Sequence, residues 1–101
     1  MNEIPHLSEA FAQVLQEARE EARVSQQELA RRVHCARSFI SFLETRTHLP
    51  SLNAFLVLCA ALDLPAAEVL RRLENRLAFL QQSALAGPRA QSPGDDAPGM
   101  R

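Results

Sequence analysis

The chain has 101 residues and a formal net charge of −1, with 47% hydrophobic and 23% charged residues and Phe as its sole aromatic type. That length suits one compact core built mainly from aliphatic packing; no apolar run approaches the ~18 residues of a membrane span, and the N-terminus lacks the basic and apolar regions of a signal peptide, so a cytoplasmic, nucleoid-associated protein with no membrane partner is expected. Cys35 and Cys59 stand far apart and in no CxxC or Cys/His ligand pair, which argues against a disulfide framework and a metal site, and the absence of any nucleophile with its base, phosphate loop or carboxylate pair argues against an enzyme or a bound cofactor.

Apolar residues recur at three- and four-residue intervals and no strand-like alternation persists, so an all-α domain of five helices is expected over residues 8–82. The first helix is expected to start at Ser8 as N-cap and to run to about Ala22, with Phe11, Leu15, Ala18 and Ala22 on one face. The second starts at Ser25. Ser25-Gln26-Gln27-Glu28 has capping-box form, in which the hydroxyl and the carboxylate each take one orphan backbone N–H, and Leu29, Ala30 and Val33 make the buried stripe.

A third, short helix from about Ala36 to Thr45 carries Ile40 and Leu43 inward and stops before Pro50, which restricts Leu49 to extended conformations. The fourth begins at Ser51 and offers Leu52, Phe55, Leu56, Cys59, Ala60 and Leu62 as an apolar face. The fifth follows Pro65, over about residues 66–82, through Val69, Leu70, Leu73, Leu77 and Leu80. All three glycines and three of the six prolines lie beyond residue 86, so residues 83–101 read as a disordered tail.

The near-neutral total charge conceals a basic middle. Between Arg23 and Pro50 five arginines (Arg23, Arg31, Arg32, Arg37, Arg46) stand against Glu28 and Glu44, a modest electrostatic footprint for phosphate. At 100° per residue, Ala36, Ile40, Leu43 and Glu44 share one side of the third helix, while Ser38, Ser41, Phe42 and Thr45 point away. Hydroxyls flanking one ring make a poor core surface but suit a DNA groove, where hydroxyls bond bases or phosphates and a ring meets a thymine methyl. Phe42 has a second reading as a core or dimer contact, Phe39 reads mainly as packing, Arg37 as a base or phosphate contact or a solvated side chain, and Arg19 and Glu44 as an internal ion pair or cap.

Arg19, Ser25-Gln26-Gln27-Glu28-Leu29-Ala30, Ile40, Glu44, Pro50-Ser51-Leu52 and Leu62-Asp63-Leu64 together resemble, at these spacings, the Cro and lambda-repressor type of helix-turn-helix domain, the XRE family. The resemblance covers about half the chain, with the motif at about residues 25–45. It implies a compact lambda-repressor-like fold and sequence-specific binding of double-stranded DNA, with the second helix of the motif in the major groove. It places Arg37, Ser38 and Phe42 toward bases and Gln26 toward a phosphate; beside them Ser41 is expected to read bases, and Arg31, Arg32, Thr45 and Arg46 to hold phosphates. The chain departs from the family in lacking glycine near Arg23, at His34 and at Arg46, where a left-handed residue costs on the order of 1 kcal/mol, and in having Ala36 for the Ser or Thr cap of the reading helix.

Leu70, Leu73, Leu77 and Leu80 are spaced by three, four and three residues, an a/d seam. Leu73, Leu77, Phe79 and Leu80 are therefore expected to join two copies into a homodimer, with a return of the fifth helix over the first as the intramolecular alternative. The resulting expectation is a dimeric repressor on an inverted-repeat operator. Its rivals are an antitoxin that binds a toxin through the fifth helix or the tail and represses its own operon, and a protein-interaction module that has kept the frame but lost DNA binding.

Overall fold

The computed structural model describes residues 2–45 and 48–86, with the side chains of residues 84–86 excepted. They form five helices, α1 (Leu7–Glu21), α2 (Gln26–Arg32), α3 (Arg37–Leu43), α4 (Leu52–Ala61) and α5 (Ala66–Ala86), with no strand among the described residues. No single helix is long and apolar enough to cross a membrane. The expected tail beyond Ala86 lies outside the described residues; residues 83–86, expected within it, continue α5.

Local chemistry sets two of the helix starts. Ser25 and Ser51 each accept a bond from the backbone N–H three residues on, at Glu28 (3.0 Å) and Ala54 (3.1 Å), satisfying a donor that the helix leaves orphaned. The reciprocal half of the capping box is not formed, because the Glu28 carboxylate turns to Arg31 and Arg32 one helical turn away. Ser8 is not the cap of α1. The helix starts earlier, at Leu7, with His6 as an N-cap in the left-handed region (φ 67°) and no side-chain capping bond; the gain is Leu7, which joins Phe11 along an apolar groove.

Three helices end in one device. Arg23, His34 and Asp63 take left-handed conformations (φ 61°, 58° and 58°), and the next N–H, of Val24, Cys35 and Leu64, reaches back 3.0 Å to the carbonyl of Arg19, Ala30 and Cys59 respectively. This is the Schellman closure, usually built on glycine. Arg23 and His34 were the positions where the missing glycines implied such strain; Asp63 adds a third, and Arg46 lies outside the described residues. The residue after each turn seals the end, since Val24 is buried and Cys35 and Leu64 pack against the core.

The core gathers Phe11, Val14, Leu15 and Ala18 of α1, Leu29 and Ala30 of α2, Ile40 and Leu43 of α3, Phe55, Leu58 and Cys59 of α4, then Leu62 and Val69. Leu29, Ile40 and Leu43 are fully buried, locking α2 and α3 to one another and to α1. Ala22 and Ala36, assigned inward from the sequence, are exposed: each caps a helix rather than facing along it. On α4 the buried set is Phe55, Leu58, Cys59 and Leu62, whereas Leu52, Leu56 and Ala60 face outward. Every residue of α4 except Asn53 is apolar, so periodicity alone does not choose its inner face.

α5 returns antiparallel over α1. Arg72 pairs with Glu21 at 3.0 Å, Arg76 with Glu17 at 2.8 Å and with Gln13 at 2.7 Å, and Gln81 donates to the Pro5 carbonyl at 3.3 Å. This is the intramolecular alternative of the sequence reading. Leu73, Leu77 and Leu80 are accordingly half-buried within the chain, while Leu70 and Phe79 are exposed, so that of the four residues expected to join two copies Phe79 alone is exposed.

Candidate nucleic-acid interface

The three-residue segment Val33 to Cys35 and the Ala36 cap bring the start of α3 beside the start of α2. The link is polar and continuous. Arg37 Nε donates to Gln26 Oε1 at 3.2 Å, and Gln26 Nε2 donates to Glu44 Oε1 at 2.9 Å. Arg19 donates to both Glu44 oxygens, from Nε at 2.8 Å and Nη2 at 3.0 Å, and from Nη1 to the Val24 carbonyl at 2.9 Å. A primary amide has one acceptor and one donor side, and here a guanidinium and a carboxylate select which faces which. Gln26 therefore has a single serviceable orientation.

The inner end of this chain is structural. Arg19 and Glu44 expose only 12% and 6% of their side chains, so a forked, charge-assisted pair forms in an environment where removing either partner would strand a charge. The bond from Glu44 raises the Arg19 pKa above its ordinary value, against the opposing effect of burial. The outer end is exposed. Arg37, Ser38, Ser41, Phe42 and Thr45 all lie at the surface, forming a face with a cation at the helix start, three hydroxyls and a ring with 47% of its area accessible.

Not every residue assigned to this face is equally placed. Thr45 spends its hydroxyl on the Phe42 carbonyl, closing the end of α3. Arg31 and Arg32 both grip Glu28, whose carboxyl is held down at about 2 by the bonds from Arg31 and then Arg32. Arg32 also donates to the Ala61 carbonyl at 3.1 Å, tying the end of α2 to the end of α4. Arg31 remains the more accessible of the two, at 72% of its side chain against 41%. Arg46 lies outside the described residues.

Three features escape the sequence. The Gln26–Arg37 bond joins residues across a turn, where helical periodicity gives no register. His48 stacks on Phe42 at a ring-centroid distance of 3.7 Å, and nothing in the intervening residues signals it. Leu49, Leu52 and Leu70 rim an apolar groove floored by Phe11 and Phe55, because α4 turns Leu52 outward. Phe39, read as packing, is at the border, 36% exposed beside Cys35 and Val57. Burial pushes the thiols of Cys35 and Cys59 up, which disfavours thiolate chemistry, and among the described residues no three His, Cys, Asp or Glu side chains gather as metal ligands do.

A helix pair joined by a tight turn, with an exposed second helix braced by a buried ion pair, defines a helix-turn-helix domain, and the helix-turn-helix domain family matches residues 10–74, well over half the chain. The protein belongs to that family. Among solved structures, the clp gene regulator ClgR from Corynebacterium glutamicum is similar at 28% identity and a TM-score of 0.73, over 83% of this chain and 90% of that one. A mutant of the restriction-modification controller protein C.Esp1396I shares the fold at 18% identity and a TM-score of 0.69, over 72% of this chain and 97% of that one. No curated protein sequence matches the chain.

Proposed function

We propose that this protein is a sequence-specific double-stranded DNA-binding transcriptional regulator of the Cro and lambda-repressor kind, a dimeric repressor that sets α3 into the major groove of an inverted-repeat operator. The observation that carries the reading is the braced outer face of α3: Arg37, held by Gln26, beside exposed Ser38, Ser41 and Phe42. A guanidinium at a helix start suits the O6 and N7 acceptors of guanine, hydroxyls suit either donors or acceptors, and a phenyl ring suits the thymine methyl. Gln26, Arg31, Arg32 and Arg46 serve the phosphates, and Thr45 joins them only by giving up its bond to the Phe42 carbonyl. Similarity to a structure described as a gene regulator supports the same reading.

Glu28 tempers the basic charge of this surface, because it already occupies Arg31 and Arg32. Phosphate must compete with that carboxylate, so affinity rests more on α3 than on a large basic field. The experiment is selection of bound sequences from a random duplex pool at about physiological salt, followed by titration of the selected duplex. An enriched inverted repeat supports the reading. Binding that shows no sequence preference and vanishes with salt, as pure phosphate contact does, would instead leave a protein-interaction module.

A further inference from the structure

The ring that α3 presents is not bare. The imidazole of His48 lies over one face of Phe42, with ring centroids 3.7 Å apart and planes 29° from parallel. Both residues are exposed, so this stack is a surface feature and contributes little to the core. The Thr45 hydroxyl holds the Phe42 carbonyl at the end of α3. On the other side, Pro50 keeps Leu49 extended as the chain leaves His48 for the Ser51 cap.

An unaccompanied phenyl group on an exposed helix face exchanges among staggered rotamers. A stacked partner favours the one rotamer that keeps the rings in contact, and it also closes one face of the ring. What stays open is the other face and the ring edge, flanked by the hydroxyls of Ser38 and Ser41 at helical spacings of four and one. In the major groove the one base feature that a hydrocarbon surface can read is the thymine 5-methyl group.

We propose that His48 is a positioning residue for Phe42, holding the ring so that its open side takes the 5-methyl group of one thymine in each half-site. The inference rests on the DNA-reading assignment above and specifies what one part of that surface reads. His48 touches the ring, not the base; its effect on recognition passes through Phe42.

The test uses the full chain and the duplex selected from the random pool. Each thymine in a half-site is replaced in turn by uracil, which deletes only the methyl group, and affinity is measured for the wild type, Phe42→Ala, His48→Ala and His48→Phe. One position is expected to cost the wild type about three- to fivefold, the worth of one buried methyl group. Phe42→Ala should bind the thymine and uracil duplexes equally. His48→Ala should lose most of the thymine preference while keeping its thermal stability and its binding to the uracil duplex, and His48→Phe, which retains a stacking ring, should restore it. A His48→Ala protein with the wild-type thymine preference overturns the inference, as does a wild type indifferent to uracil at every position while still selecting a duplex. If no duplex is enriched at all, the DNA reading fails first, and this inference falls with it.

Discussion

At the scale of single residues, the arrangement that matters most is the chain of bonds from Arg19 through Glu44 and Gln26 to Arg37. Because Gln26 holds Arg37 by its amide oxygen, the two should act on DNA as one unit. Arg37→Ala is expected to weaken binding to a selected duplex by about 1 to 3 kcal/mol and to relax the preference at one base pair. Gln26→Ala should cost less, and the double variant clearly less than the sum. A double-mutant cycle measured by titration checks this, and strict additivity would show that the bond has no part in recognition. Glu28 offers a separate test. Its carboxyl sits at about 2, held there by Arg31 and Arg32, so the stabilisation it provides is present above the ordinary carboxyl range and is lost as pH falls through that range toward 2. The side chain is at the surface, so salt should weaken the effect. An NMR titration of Glu28 should show a midpoint well below that of an ordinary glutamate, moving upward in Arg31→Ala and in 1 M salt.

At the scale of elements, the three glycine-free helix ends store strain that substitution can release. His34→Gly is expected to stabilise the domain by roughly 0.5 kcal/mol, the relief of a left-handed side-chain residue minus the greater freedom of glycine in the unfolded chain. That corresponds to a rise in Tm of a few degrees. Ala22→Gly, at a right-handed position with φ −79°, should lower Tm instead, and a melting curve of each variant separates the two cases. These helix ends were legible in the sequence at Arg23 and His34, because a cap is a local matter of one residue and its neighbours; so were the Ser25 and Ser51 starts. The five helices, the buried Ile40 and Leu43 and the outward Ser38, Ser41 and Phe42 followed equally from spacing. Facing failed on α4, where apolar residues on every side leave the choice of inner surface to tertiary packing. Reach failed for Gln26 with Arg37 and for His48 with Phe42, since partners joined across a turn or loop share no periodicity.

At the scale of the whole molecule, the proposed dimer needs a surface that joins two copies. The leucine seam of α5 does not offer one continuous face: Leu73, Leu77 and Leu80 are half-buried in the chain's own structure, and Leu70 and Phe79, nine residues apart, lie about half a turn from each other around the helix. Leu70 instead meets Leu49 and Leu52 along the groove beside α4, where Leu52 is 73% exposed and Leu49 and Leu70 are each nearly half exposed. A dimer that reads an inverted repeat sets its two α3 helices about 34 Å apart, and we propose the apolar patch beside the Pro50 turn as the surface through which two copies would meet. Leu52→Glu alters a side chain 73% exposed and should leave Tm nearly unchanged, whereas Leu70→Glu, at a side chain 46% exposed, should lower it somewhat; both, through like charges across the twofold axis of the proposed dimer, should give a monomer by light scattering at micromolar concentration. Binding to an inverted repeat should then fall toward that of a single half-site. Leu77→Ala should also lower Tm, because it leaves a gap between α5 and the rest of its own chain. If both glutamate variants stay dimeric while Phe79→Ser is monomeric, the interface lies on the opposite flank of α5 and the groove beside α4 serves another partner.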